Sequence, residues 1–134
     1  MGVNSPHFIK IGLKMNSDNY FGSAYTIDKN DPRQQAWSKQ RERRGFDDTE
    51  LWNLDWTIIG FILPRLKAFR NSGAYGTPMG IPSKEHWNII LDRIIEGFEL
   101  YNGHFKNIEE CKRNERKFNI AMKLFSKWFG ALWS

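Results

Sequence analysis

Four acidic side chains have the type and spacing that a divalent cation requires. Asp48 and Asp55 lie in the segment "DDTELWNLD", and Asp92 and Glu96 lie in the segment "LDRIIEGFEL". A separation of four residues places the second pair on one face of a helix. Carboxylate oxygens are the ligands that Mg²⁺ prefers in proteins. The four residues therefore predict a magnesium site, provided that the two segments face each other.

The acidic residues of the first segment also have a structural explanation. Helices commonly begin with acidic side chains, which accept hydrogen bonds from free N–H groups and complement the helix dipole. Asp47 followed by Glu50 has the spacing of a capping box, and Asp48 falls in the same first turn. Capping is the favoured interpretation for these three residues.

Asp55 is harder to explain as a cap, because it shares a predicted helix face with Trp52 and Ile59. A buried carboxylate needs a charged or hydrogen-bonding partner. We expect that partner to be a cation such as Arg65 or Arg93, or the indole of a neighbouring tryptophan.

A magnesium site between facing helices resembles the carboxylate pairs of all-helical nucleotide pyrophosphohydrolases. The resemblance implies a metal-dependent nucleotide hydrolase that uses the four carboxylates and Mg²⁺. The paired spacings "EExxE" and "ExxD" of that family do not occur in this sequence. A solvated polar face is therefore favoured for Asp92 and Glu96, and outside the hydrolase alternative we predict no cofactor.

Basic residues near tryptophan form the second candidate site. The segment "RQQAWSKQRERR" combines cations that suit phosphates with a ring that suits a base, and "PRLKAFR" adds cations after a proline. The predicted ligand-binding residues are Trp37, Arg41, Arg43, Arg44, Arg65 and Lys67. A second basic stretch, "CKRNERK", lies at 111–117. These stretches predict an anionic nucleotide or nucleic-acid partner, with a solvated surface helix as the alternative.

The sequence pattern predicts the elements that carry these residues. Residues 8–15 alternate between apolar and polar, and 20–27 could return as a second strand. Helices are expected over the basic segment, over 47–63, from a cap at Ser83 and from about residue 108. Asp31 is the expected cap of the basic helix, and Gly45 is its expected end. The predicted fold is α+β and mostly helical, with a small N-terminal β-hairpin packed on a bundle of about four helices. We expect a single domain over 1–134, with 1–30 as the hairpin or arm and 31–134 as the helical core.

Three residues are predicted to have structural roles. Trp52 belongs to the apolar segment 47–63, and Trp87 begins an apolar stripe with helical spacing that should be buried. Pro64 cannot donate to the helix ladder and its ring meets the carbonyl of Gly60, so we expect a kink or a new helix start there.

Composition limits the setting of the protein. Its single cysteine, Cys111, cannot form an intramolecular disulfide, which fits a reducing cytosol. The longest apolar run, 56–63, is much shorter than the roughly 20 residues that span a bilayer. We therefore expect a soluble, cytoplasmic protein without a membrane partner.

The segments "GFDDTELWNLDWTIIGFILPRLKAF", "EHWNIILDRIIEGFEL" and "FGALW" resemble a recurrent family of small uncharacterised bacteriophage proteins. The resemblance covers residues 37–134. Its most specific positions are Gly45, Asp48, Trp52, Leu54, Asp55, Pro64, Arg65, Leu66 and Trp87. It implies a phage origin and the cytosol of an infected host, but it supplies no activity.

The leading prediction is a small, non-enzymatic phage protein that inhibits or sequesters a component of host defence. Its partner would be a host protein or a phosphate-bearing ligand, which suits the basic and aromatic segments. The alternatives are the metal-dependent nucleotide hydrolase and a structural virion or replication accessory protein. A homo-oligomer is possible, because the predicted hairpin could pair between subunits.

Overall fold

The computed structural model describes residues 22–73, 75–101 and 105–133. Within these ranges the chain forms five α-helices and two short 3-10 helices. The α-helices are α1 Arg33–Arg44, α2 Thr49–Trp52, α3 Leu54–Ser72, α4 Lys84–Glu99 and α5 Ile108–Trp128, and the 3-10 helices are Ser23–Thr26 and Phe129–Ala131.

The described residues fall into two compact units, 22–61 and 62–133, whose boundary lies within α3. The expectation of a single domain over 1–134 stays a prediction, which a single cooperative unfolding transition would support.

The predicted α+β class is wrong for the part of the chain that the structure describes, which contains helices and no strand. The expected return strand, 20–27, instead contains the 3-10 helix Ser23–Thr26. The Ile27 N–H donates to the Ala24 carbonyl, and the Thr26 hydroxyl donates to the Ser23 carbonyl. These local bonds use groups that a sheet would need. The other expected strand, 8–15, lies outside the described residues.

In the unit 22–61, α1 has the ends that the sequence predicts. The Asp31 carboxylate accepts a hydrogen bond from the backbone N–H of Arg33 at 2.9 Å. Gly45 ends the helix in the left-handed conformation, with φ of 86°, and its N–H donates to the Arg41 carbonyl. The apolar side of α1 buries Trp37 against Ala24. A short polar helix is thus fixed by its two ends and one large ring.

The predicted helix over 47–63 is broken, but not at the proline. α2 ends at Asn53, whose φ of −133° and ψ of 72° are not helical. The Thr57 hydroxyl donates to the Glu50 carbonyl at 2.8 Å, which satisfies an acceptor that the break releases. α3 then continues through Pro64 without interruption, so the predicted helix start at Pro64 is wrong. Pro64 has no backbone N–H, so α3 loses one hydrogen bond there. That bond is a small fraction of the backbone hydrogen bonds in a helix of 19 residues.

The unit 62–133 is built around α4. The Ser83 hydroxyl caps α4 by accepting from the His86 N–H. In the predicted stripe, Trp87, Leu91, Ile94 and Phe98 are fully buried, whereas Ile90 and Ile95 are half-buried. These observations confirm the predicted start and the core role of Trp87. The Trp87 ring meets the Trp128 ring edge to face, with centroids 5.9 Å apart.

α4 and α5 approach each other closely at Gly97. A Cβ atom built on Gly97 would lie 2.3 Å from the Ala121 Cβ and 2.6 Å from the Lys117 carbonyl oxygen. Only a residue without a side chain allows this separation. Among the described helices, none is both long and apolar enough to cross a bilayer.

Candidate functional site

Trp37, the predicted stacking ring, is part of the core. Only 4% of its surface is exposed, and its ring packs edge to face on Trp52 with centroids 5.8 Å apart. The Arg33 guanidinium covers it further, 5.0 Å from the ring centroid. A base could not stack on Trp37 without displacing these neighbours. Trp52 keeps a structural contact through this pair, although about half of its surface is exposed.

Arg41 and Arg44 join α1 to the start of α2. Arg41 forms an ion pair with Asp47, whose side chain is completely buried. Arg44 pairs with Asp48 at 2.7 Å, and Gln40 donates to the same carboxylate at 2.9 Å. The hydrogen bonds from Arg44 and then from Gln40 hold the pKa of the Asp48 carboxyl below its usual range. These two arginines serve the fold rather than an open site.

The predicted capping box is present next to these ion pairs. The Glu50 carboxylate accepts from the Asp47 N–H at 3.0 Å, while Asp47 accepts from the N–H and the hydroxyl of Thr49. Burial raises the pKa of the Glu50 carboxyl above its usual value, partly opposed by the hydrogen bond from Asp47. Asp47 and Glu50 thus complete a helix end, as the structural interpretation predicts, whereas the Asp48 side chain makes no cap hydrogen bond and pairs with Arg44 instead.

The other predicted cations of this site are exposed. Arg43 and Lys39 line a shallow, open depression on α1 together with Gln40. Within the described ranges, neither Arg43 nor Lys39 has a hydrogen-bond or ion-pair partner. On α3, Arg65 is exposed, and Lys67 pairs with Glu99 at 2.6 Å.

The residues predicted to bind magnesium are occupied by other contacts or lie in solvent. Asp48 pairs with Arg44 as described, Asp92 accepts from Arg70 at 2.8 and 3.3 Å, and Glu96 pairs with Lys117 at 3.0 Å. No group of three or more His, Cys, Asp or Glu side chains within 22–73, 75–101 and 105–133 could hold a metal ion.

The fourth predicted ligand, Asp55, is exposed, so the prediction of a buried carboxylate is wrong. Its expected neighbour Trp52 is half-exposed, although Ile59 is buried as predicted. The break at Asn53 separates Trp52 from the helix that carries Asp55. The face that they were expected to share is therefore not formed.

The sequence reasoning missed a row of cations on α5. Lys112, Arg116, Lys123 and Lys127 are separated by four, seven and four residues, so they follow one face of the helix. All four are exposed, and the opposite face contains the buried Ala121. Lys112, Arg116 and Lys123 have no ion-pair or hydrogen-bond partner in the described chain. The spacing of these residues in the sequence is enough to reveal the row. Only Lys112 and Arg116 fall within the basic stretch 111–117 that the sequence analysis identifies.

A cleft of about 330 Å³ opens between the C-terminal end of α4 and the first half of α5. Its lining combines aromatic and apolar residues with amides and one carboxylate. The lining residues are Leu100, Tyr101, Phe105, Cys111, Asn114, Glu115, Phe118 and Asn119. Because residues three and four apart are neighbours on a helix, Asn119 lies next to Arg116 and Lys123. The cleft therefore borders the cation row.

A strip of exposed apolar side chains follows α2 and the first half of α3. Leu51, Leu54, Ile58 and Phe61 are each about half-exposed. The last three lie along one side of α3, because they are four and three residues apart, while Leu51 lies in α2 before the break. The large exposed area is unusual for residues of this type, and exposed apolar patches often mark interaction sites.

Comparisons with protein-family models, with curated proteins and with solved structures each gave no match. The resemblance to uncharacterised phage proteins therefore stays a prediction.

Proposed function

We propose that this protein is a non-enzymatic binding protein that takes up an anionic partner on the cation row of α5. The row of Lys112, Arg116, Lys123 and Lys127 is the observation that carries the proposal. At 1.5 Å per residue it is about 22 Å long. A strand stacked as in B-form DNA places one phosphate about every 3.4 Å along its axis, so about six phosphates of such a strand could lie along the row.

The energetics of the row support a binding role. Lys112 and Arg116, and likewise Lys123 and Lys127, are like-charged neighbours four residues apart. Each such pair costs an isolated helix about 0.2–0.5 kcal/mol. Several other cations of the described chain are paired, as Lys67 is with Glu99. An anionic partner would offset the repulsion along α5.

Binding is favoured over nucleotide hydrolysis because three of the four carboxylates of the hydrolase alternative already neutralise a cation. These three are Asp48, Asp92 and Glu96. The phage resemblance makes a component of host defence the expected source of the anionic partner, which the protein would sequester or block.

The test uses a fluorescently labelled single strand of about ten nucleotides, within the site size of single-strand binding proteins. Arg116→Gln with Lys123→Gln removes two charges from the row, and Lys39→Gln with Arg43→Gln removes two from α1. We expect the α5 variant alone to lose affinity. Its plot of log affinity against log salt should be less steep by about 1.4, which corresponds to two lost phosphate contacts. Equal losses in both variants would show only general attraction and refute a site on α5.

A second candidate function, binding of a protein, is favoured by the strip of Leu51, Leu54, Ile58 and Phe61. A second copy of the chain is the simplest partner to test. If the strip mediates self-association, Leu54→Gln with Ile58→Gln should convert an oligomer to a monomer in sedimentation velocity. A wild-type protein that stays monomeric would exclude a homo-oligomer and leave a host protein as the candidate for this surface.

A further inference from the structure

We propose that the cleft between α4 and α5 holds a nucleobase, and that the phosphate of the same nucleotide lies on Lys112, Arg116 or Lys123. This inference rests on the proposed function and specifies its ligand. The required chemistry is an aromatic heterocycle with an attached phosphate. Both a free nucleotide and an unpaired base of a strand have it.

The size of the cleft suits a small planar group. Its volume of about 330 Å³ lies at the low end of the range for ligand sites, about 300–1,000 Å³. A partner helix would not fit such a space. Leu100, Phe118 and Cys111 make much of the wall apolar, which favours a ring over a hydrated ion.

Aromatic side chains offer a stacking surface in the cleft. The rings of Tyr101 and Phe118 pack on each other with centroids 4.5 Å apart. The Phe105 ring also lines the cleft, yet 52% of its surface is exposed. An exposed phenyl ring gains by covering its face, and every nucleobase has a flat face to offer. Phe105 is therefore the ring that we expect to stack on the ligand.

The polar residues of the cleft fit the edge of a base. The Glu115 carboxylate, when ionised, can only accept hydrogen bonds, whereas the amides of Asn114 and Asn119 can both donate and accept. The ligand must therefore present at least one N–H donor together with acceptors. Guanine presents two adjacent donors, on N1 and on its exocyclic amine, which match the two oxygens of a carboxylate. Glu115 repels a phosphate, so the phosphate cannot occupy this part of the cleft.

The phosphate instead has a place just outside the cleft. Asn119 lines the cleft and is the helical neighbour of Arg116, three residues before it, and of Lys123, four residues after it. Neither cation has an acidic residue three or four positions away on α5. A ligand with its base against Phe105 and Glu115 would thus extend its phosphate toward unpaired cations.

Isothermal titration calorimetry with the whole chain tests the proposal. The probes are guanosine monophosphate, uridine monophosphate, guanosine, inorganic phosphate and a short single-stranded oligonucleotide. We expect the guanine nucleotide to bind more tightly than guanosine or phosphate alone, and more tightly than the uridine nucleotide. A strand that binds where the mononucleotide does not would identify nucleic acid as the source, provided that its binding depends on Phe105.

Matched variants separate the contribution of each group. Phe105→Ala should weaken nucleotide binding at least about fivefold, the low end for a base stacked on an aromatic ring. Phe129→Ala removes another exposed phenyl ring outside the cleft lining and should have no effect. Glu115→Gln should reduce the preference for guanine over uracil, while the control Glu109→Gln should retain it. Arg116→Gln should weaken the nucleotide but leave guanosine unchanged.

The outcomes distinguish this inference from the proposed function. If Phe105→Ala binds the nucleotide and the strand as wild type does, no base occupies the cleft and the inference fails. The cation row could then still bind phosphates, so the proposed function would survive. If none of the probes binds, including the strand, both fail together.

Discussion

Gly97→Ala should destabilise the protein strongly, because α4 and α5 leave no room for a methyl group. The new Cβ would lie 2.3 Å from the Ala121 Cβ and 2.6 Å from the Lys117 carbonyl oxygen, compared with about 3.5–4.0 Å for carbon atoms in ordinary contact. One of the opposing atoms is backbone, which cannot rotate away. The helices must therefore separate by about 1 Å or more.

The expected magnitude follows from two opposing effects. Forcing extra volume into a packed interior costs about 1–3 kcal/mol, and occasionally more. A backbone obstacle places Gly97 at the upper end of that range. Alanine regains roughly 1 kcal/mol over glycine through its helix propensity. We expect a net loss of about 2 kcal/mol in the free energy of unfolding, measured by urea denaturation.

A control and a rescue make this prediction specific. Gly130→Ala meets no atom within 4 Å, so its stability should stay within about 0.5 kcal/mol of wild type. Combining Gly97→Ala with Ala121→Gly removes the contact between the two Cβ atoms but not the contact with Lys117. The glycine at position 121 also costs roughly 1 kcal/mol of helix propensity, so stability should return only in part. A Gly97→Ala protein as stable as wild type would refute the close approach of α4 and α5.

Three other predictions concern buried groups. Trp87→Ala should lower the free energy of unfolding by about 3–5 kcal/mol, measured by urea denaturation, because the ring is fully buried. A decrease of less than about 1 kcal/mol would contradict a core position. Arg41→Gln should lower the free energy of unfolding by about 3 kcal/mol, because it removes the charge that pairs with the buried Asp47. Arg43→Gln should change it by less than about 0.5 kcal/mol, and equal effects of the two substitutions would contradict the ion pair. Folding raises the pKa of Glu50, so ionising this carboxyl is less favourable in the folded protein. The free energy of unfolding of the wild type should therefore fall as pH rises from about 4.5 through the folded-state pKa. Glu50→Gln cannot ionise at this position and should gain stability relative to wild type between pH 4 and pH 7. The exposed Glu42→Gln is the control for this pH series, and identical pH profiles for Glu50→Gln and wild type would argue against the burial effect.

Local sequence signals predicted the ends and buried faces of several helices. The Ser83 cap, the Gly45 stop and the Asp47–Glu50 box depend on residues within one turn of each other, so the short pattern is sufficient. The buried stripe that Trp87 begins is equally local, because helical periodicity alone selects its members.

Features that depend on distant contacts were not predicted. A strand was expected over 20–27, but the Ala24 N–H donates to the Thr49 hydroxyl, a residue far along the chain. The same chain segment packs against Trp37, which removes that ring from any ligand site. No pattern within the segments themselves indicates these contacts.

The sequence associates basic residues with an anionic partner, which stays a prediction. The residues selected on α1 are largely used by ion pairs across a turn, as Arg44 is with Asp48. Whether a cation has an acidic partner depends on how neighbouring helices pack, which the composition of a segment does not show. The cation row on α5 can be found from residue spacing in the sequence, whereas the cleft beside it forms only where the end of α4 lies against α5.

Cys111 gives the cleft a built-in chemical reporter. It is the only cysteine of the chain, it is partly exposed, and it lies in the wall of the cleft. A maleimide or a nitroxide reagent would therefore label one defined position without any engineered mutation. A molecule bound in the cleft would slow the alkylation of this thiol, so the dependence of the labelling rate on ligand concentration would yield a binding constant for unlabelled compounds.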